Sequence, residues 1–196
     1  MCHPVFDGTS SEIPPEIQAE MTGLSWKPAL DCPPFSSLRL LTVRHWNFEG
    51  EVMDGELVVN QSAVADLVHV FATLFEARFP IERMERVDVY GADDDASMAA
   101  NNTSAFNCRL TTSGTQLSQH SYGTALDINP VQNPYVSSGG TVYPPAGAGY
   151  LDRQDPRPGM IVEGDPVVDA FDAISWGWGG RWQSLKDYQH FSESGL

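Results

Sequence analysis

The chain has 196 residues, a formal net charge of −15 from 26 acidic and 11 basic residues, and an apolar fraction of 41%. That length suits one domain with a sizeable core, and the acidic balance argues against general nucleic-acid binding, because it repels phosphate backbones. No run of about 18 apolar residues occurs, so no membrane span is expected.

Residues 1–35 are rich in proline and carry no long periodic pattern. They read as an N-terminal arm over a body of residues 36–196. Pro14-Pro15 can open a short helix through Glu16 to Met21, and Pro33-Pro34 closes the arm. The first residues lack a basic stretch followed by an apolar one, so no signal peptide is expected there. Cys2, Cys32 and Cys108 cannot all pair internally. A Cys2–Cys32 bridge is open if the chain is exported, and nothing in the sequence requires it.

Leu38 to Phe48 is branched, aromatic and partly alternating, which predicts a strand. Gly50 and Asp54-Gly55 read as turn signals, and Glu56 to Val59 resumes an extended pattern, giving a hairpin. Val64, Leu67, Val68, Phe71, Leu74 and Phe75 fall at helical spacing, with Asn60 or Ser62 to cap them and Pro80 to end the helix. His69 lies beside that stripe and reads as structural. Val87, Val89 and Tyr90 suggest a further strand. Asp93-Asp94-Asp95 lacks the ligand spacing of a calcium loop and reads as a solvated cap. Residues 129–166 form a long excursion rich in Pro, Gly, Asn and Tyr, of the length that usually carries function. Val167 to Ile174 predicts a short helix. The fold class is α+β.

Two short stretches carry the chemistry. Ser118 to Asp127 holds His120 and Asp127 around Gly123, and Asp187-Tyr188-Gln189-His190 repeats the same residue types. A catalytic zinc ion needs three protein ligands and an open position, and a carboxylate must move the proton of the attacking water. His120, Asp127 and His190 can be the ligands and Asp187 the base. In an extended segment Asp127 faces the site while Leu126 and Ile128 anchor the strand in the core, and Gly123 lets the chain turn so that His120 faces Asp127. Taken singly, each residue also has an ordinary reading. His120 can be a loop residue, Asp127 a turn cap and Asp187 a surface partner of Lys186 or Arg181. A hydrolase built on Cys108 or Ser118 is a further reading, which predicts resistance to chelators.

The pattern Ser-x-His-x-x-Gly-x-Ala-x-Asp, with a late Asp-x-x-His, resembles the M15 zinc peptidases. These include D-alanyl-D-alanine carboxypeptidases and the L-alanyl-D-glutamate endopeptidases of phage endolysins. Arg78 to Ile81, Ser104 to Arg109, Asp127 to Tyr135 and Trp176 to Gly180 are similar to the VanY-like branch. The resemblance implies a hedgehog/DD-peptidase-like domain, with helices packed on a small antiparallel sheet that carries the site. It implies Zn2+ on His120, Asp127 and His190, Asp187 as general base, and Arg109 holding substrate and stabilising the oxyanion, against an ordinary salt bridge for that arginine. Ser118 would bind the peptide substrate or orient His120. Tyr122, Tyr135, Trp176, Trp178 and Trp182 divide between core and cleft, with the tryptophans favoured for the core. The implied substrate is the peptidoglycan stem peptide, cut by a carboxypeptidase or an endopeptidase. The alternative is a non-hydrolysing zinc domain that binds cell-wall peptides. A monomer is expected, extracellular or cell-wall associated, because that is where the substrate lies.

Overall fold

The computed structural model describes residues 4–111, 114 and 116–196. Strands β1 (Gly8–Ser11), β2 (Leu38–Trp46) and β3 (Val52–Asn60) form an antiparallel sheet in that order. The β2–β3 hairpin runs in register from Leu38↔Asn60 to Trp46↔Val52. Its turn is residues 47–51, where Asn47 Oδ1 accepts from the backbone N–H groups of Glu49 and Glu51. Asp54-Gly55, expected to turn, lies inside β3 instead. Gly55 is there for space, since a Cβ on it would sit 2.5 Å from the Met84 Cβ. A glycine inside a strand marks close approach as well as a turn.

The N-terminal segment adds more than cover. It supplies β1 to the sheet edge and helix α1 (Pro15–Met21), which starts on Pro15 and buries Met21. Ile13 and Met21 pack with Leu38, Leu40, Val58 and Phe106 in a small core of their own. A disulfide joins Cys32 to Cys108, 76 residues apart. Cys32 is therefore not free for the Cys2 pairing left open above, and Cys2 lies outside the described residues.

Helix α2 (Val64–Glu76) follows β3 through a 3-10 turn at Gln61–Ala63, which Asn60 caps by accepting from Ser62 N–H. Its stripe of Leu67, Val70, Phe71, Leu74 and Phe75 is buried. The helix stops four residues before Pro80, where Arg78 takes a left-handed φ of 53°. His69 is exposed on it. Two short strands, β4 (Arg83–Met84) and β5 (Asn102–Thr103), pair in parallel. The strand expected at Val87 is a 3-10 turn, Val87–Tyr90, because buried Asp88 accepts from Ser25 N–H while Val89 faces solvent. Asp93 caps helix α3 (Asp94–Ala99), as a solvated cap should.

The rest of the chain makes β6 (Ala125–Asp127), β7 (Tyr135–Val136), β8 (Val142–Tyr143), helix α4 (Pro166–Ala173), β9 (Gly177–Trp178), β10 (Lys186–Asp187) and β11 (His190–Ser192). They form two small antiparallel sheets, β6–β11–β9 and β10–β7–β8. Helix α4, capped by Asp165, packs Val167, Val168 and Phe171 into the main core with α2. The architecture is α+β, and its antiparallel pairing is divided among several sheets. The excursion at 129–166 is pinned rather than loose. Arg153 donates to Gln132 O and Asn133 Oδ1, and its guanidinium lies 4.0 Å from the Tyr188 ring centre.

Candidate metal centre

His120 sits in a 3-10 turn, Gln119–Tyr122, and Asp127 ends β6. Ser118 caps the turn, its hydroxyl accepting from His120 N–H at 3.4 Å. Gly123 follows with φ 71°, and a Cβ there would come within 2.6 Å of Asn60 N. Only glycine fits both the left-handed backbone and that close approach. Leu126 and Ile128 are fully buried and fix the strand. His190 opens β11 directly opposite Asp127 in the ladder. Two clusters 63 residues apart are thus joined by strand register.

The ligand atoms converge. Asp127 Oδ2 lies 3.2 Å from His120 Nε2, and its Oδ1 accepts from His190 Nδ1 at 2.9 Å. His120 Nε2 and His190 Nδ1 are 3.2 Å apart. All three residues are buried, at 4%, 7% and 6% exposure for His120, Asp127 and His190. The outer ring nitrogens are held too. His120 Nδ1 bonds Ala105 O at 2.6 Å, and His190 Nε2 bonds Leu196 O at 3.1 Å. When each ring is neutral with its N–H on the outer nitrogen, facing a main-chain oxygen, the inner nitrogen has its lone pair for a metal. An ion bound at about 2.0–2.1 Å in a tetrahedron spaces its ligands by about 3.3 Å. The three donor atoms already stand near that spacing, so the residues fit a metal ion.

Asp187 lies on β10 and lines the same cleft, of about 700 Å³. Its Oδ1 has no hydrogen-bond partner among the described residues. Burial, then the charge of Asp127, pushes its carboxyl up to about 7. Burial opposes charge on His190, but the hydrogen bond and charge of Asp127 override it and raise that imidazole to about 9. Burial alone would raise Asp127, yet His120 and His190 hold it far below the carboxylate range.

These shifts set a pH dependence. Raised above 6.5, His190 stabilises the metal-free fold at low pH, and that contribution is lost as pH rises through about 9. Raised above 3.8, Asp187 costs the fold stability as it ionises on the way to about 7. A metal ion takes only neutral imidazole, so its binding strengthens over the same range. The gap in melting temperature between metal-loaded and metal-free protein is expected to widen from about pH 6.5 to about pH 9. Calorimetry on both forms checks this, and a gap that narrows would exclude His190 as a ligand.

Arg109 lines the cleft as well and pairs with Asp94 at 2.6 Å, so the ordinary salt bridge is present at the edge of the site. Its Nε is buried with no hydrogen-bond partner among the described residues. Ser121, absent from the sequence reading, ties Arg109 to the His120 turn. Its hydroxyl accepts from Arg109 N–H at 3.0 Å and donates to Arg109 O at 2.9 Å. Asp94 was legible only as part of an acidic loop. Trp182, favoured for the core, lines the cleft, with its ring 5.5 Å from that of His190. Trp176 and Trp178 are in the core. Tyr135 lines the cleft, and Tyr122 is exposed outside it.

A Cys108 nucleophile is excluded, since that sulfur is fully buried in the disulfide with Cys32. A second groove, of about 730 Å³, lies on the other side of the β10 segment, where Lys186 and Tyr188 face away from Asp187. Arg153 and Arg181 line it, but it contains none of the convergent ligands.

Residues 111–193 match a family model of the M15 peptidases described as D-alanyl-D-alanine carboxypeptidase. No curated protein matches the chain, and no solved structure does. The matched span contains His120, Asp127, Asp187 and His190 and begins just after Arg109. Residues 111–193, which carry the buried His–Asp–His group, are thus similar to the M15 peptidases.

Proposed function

We propose that this chain is a zinc-dependent peptidase that hydrolyses a peptide bond in the stem peptide of peptidoglycan. The observation that carries the reading is the convergence of His120, Asp127 and His190 in a cleft that also holds an Asp187 oxygen with no partner among the described residues. Zinc held by those three residues supplies Lewis acidity, making a water molecule acidic and polarising the scissile carbonyl.

The protein's own groups do the remainder. Asp187 takes the proton of the attacking water and hands it to the leaving nitrogen. Its position at the cleft wall, with one oxygen unengaged among the described residues, leaves it able to accept. Arg109 offers guanidinium donors to a carbonyl oxygen or a carboxylate of the peptide, and Asp94 holds it in place at 2.6 Å. Ser118 orients the His120 turn through its cap. Tyr135, Tyr143 and Trp182 line the cleft and offer aromatic walls to the peptide. Because that substrate lies outside the cell, we propose that the protein acts there or at the wall, and as a monomer.

Mass spectrometry of muropeptide digests, with and without a chelator, tests the reading. Loss of D-Ala identifies a carboxypeptidase, and internal stem fragments an endopeptidase. Chelation is expected to abolish either product, and zinc to restore it. Tight muropeptide binding with no product would instead mark a zinc domain that binds without hydrolysing.

A further inference from the structure

Gln189 stands between the proposed base and a ligand, and neither role uses it. Its side chain is 2% exposed and lies in the cleft wall. A buried amide needs a reason, because an apolar side chain of equal volume is cheaper to bury. The fold supplies little of one. Gln189 Nε2 makes only a weak 3.5 Å contact to Met98 Sδ on α3, and Oε1 has no partner among the described residues. The backbone carbonyl, which accepts from Ile128 N–H at 3.0 Å, fixes the main chain without the side chain.

The geometry around Gln189 is specific. Residues 187 to 189 alternate, so Asp187 and Gln189 line the cleft while Tyr188 faces the opposite groove. Asp187 presents on that same wall an oxygen with no partner among the described residues. An acceptor with a free oxygen and a donor with little else to do share one face, two residues apart.

We infer that Gln189 is a positioning residue, whose side-chain N–H steers the Asp187 carboxylate into the cleft. This rests on the peptidase reading for its catalytic meaning but not for its geometry. A carboxylate on a short side chain has rotational freedom, and a misplaced base loses rate steeply. One charge-assisted hydrogen bond restricts that rotation while leaving the second oxygen for the water.

Two measurements on the zinc-loaded full chain test it. In the first, the Gln189 side-chain amide is followed by NMR in the wild type and in Asp187→Ala. Its proton signal is expected to move upfield and exchange faster in the variant. An amide signal indifferent to Asp187→Ala would overturn the inference. In the second, Gln189→Met keeps volume and removes the amide. We expect kcat on muropeptides to fall about 10- to 100-fold, with KM, zinc content and melting temperature unchanged. An unchanged kcat would also overturn it. If the wild type cleaves no muropeptide, the peptidase reading fails, and the NMR result alone decides the placement of Gln189.

Discussion

Asp187→Asn is expected to lower muropeptide hydrolysis by about 10²- to 10⁴-fold while zinc still binds. The substitution keeps the shape of the side chain and removes only its capacity to take a proton. Asp187 is not among the three convergent ligands, so metal stoichiometry should hold at the wild-type value. Burial and Asp127 push its carboxyl up to about 7, and neutral asparagine escapes that cost. The metal-free variant should therefore be as stable as the wild type at neutral pH, or more so. Loss of rate with retained zinc and retained melting temperature separates a proton carrier from a structural residue. If Asp187→Asn still turned over at the wild-type rate, another group would have to be the base.

The second large effect is expected at Asp127. Its two oxygens face His120 and His190 in a site almost closed to water. Asp127→Asn keeps the volume but leaves His190, which Asp127 raises to about 9, without its counter-charge. Breaking a buried pair by removing one partner costs about 3–5 kcal/mol. For a chain of this size that is on the order of 10 °C in melting temperature. The fall should be read on metal-free protein, where no ion masks it. Zinc binding should weaken in parallel, because one of three ligands has lost its charge. A metal-free variant as stable as the wild type would mean that the histidines do not lean on Asp127.

Much of the local structure was written in the order of residues. The stripe from Val64 to Phe75 is a helix because its apolar positions recur at 3.6 residues, and α2 follows it closely. The hairpin from Leu38 is legible from its branched residues, although its turn is set by Asn47 rather than by Asp54-Gly55. Gly55 misled because close packing and tight turning both select glycine, and only the position of Met84 tells them apart. Val87 to Tyr90 misled for the opposite reason. Their β propensity is real but weak, and it yields to the contact of Asp88 with Ser25 N–H, 63 residues away.

At the site, the choice of residue types is a local fact. His120, Asp127, Asp187 and His190 announce metal and proton chemistry by their identity and spacing, and Gly123 announces the turn. What the order of residues could not contain is their convergence. The pairing of His190 with Asp127 belongs to the β6–β11 register. The main-chain oxygens of Ala105 and Leu196, which face the outer ring nitrogens, carry no signature of their own because every residue has a main-chain oxygen. The same holds for the Ser121 link to Arg109, the placement of Trp182 against His190 and the Cys32–Cys108 bridge. Residue types and periodicity thus determined which groups are available and which segments coil or extend. Tertiary structure alone decided which of them meet, because contacts between distant segments depend on packing and strand register rather than on neighbours in the chain.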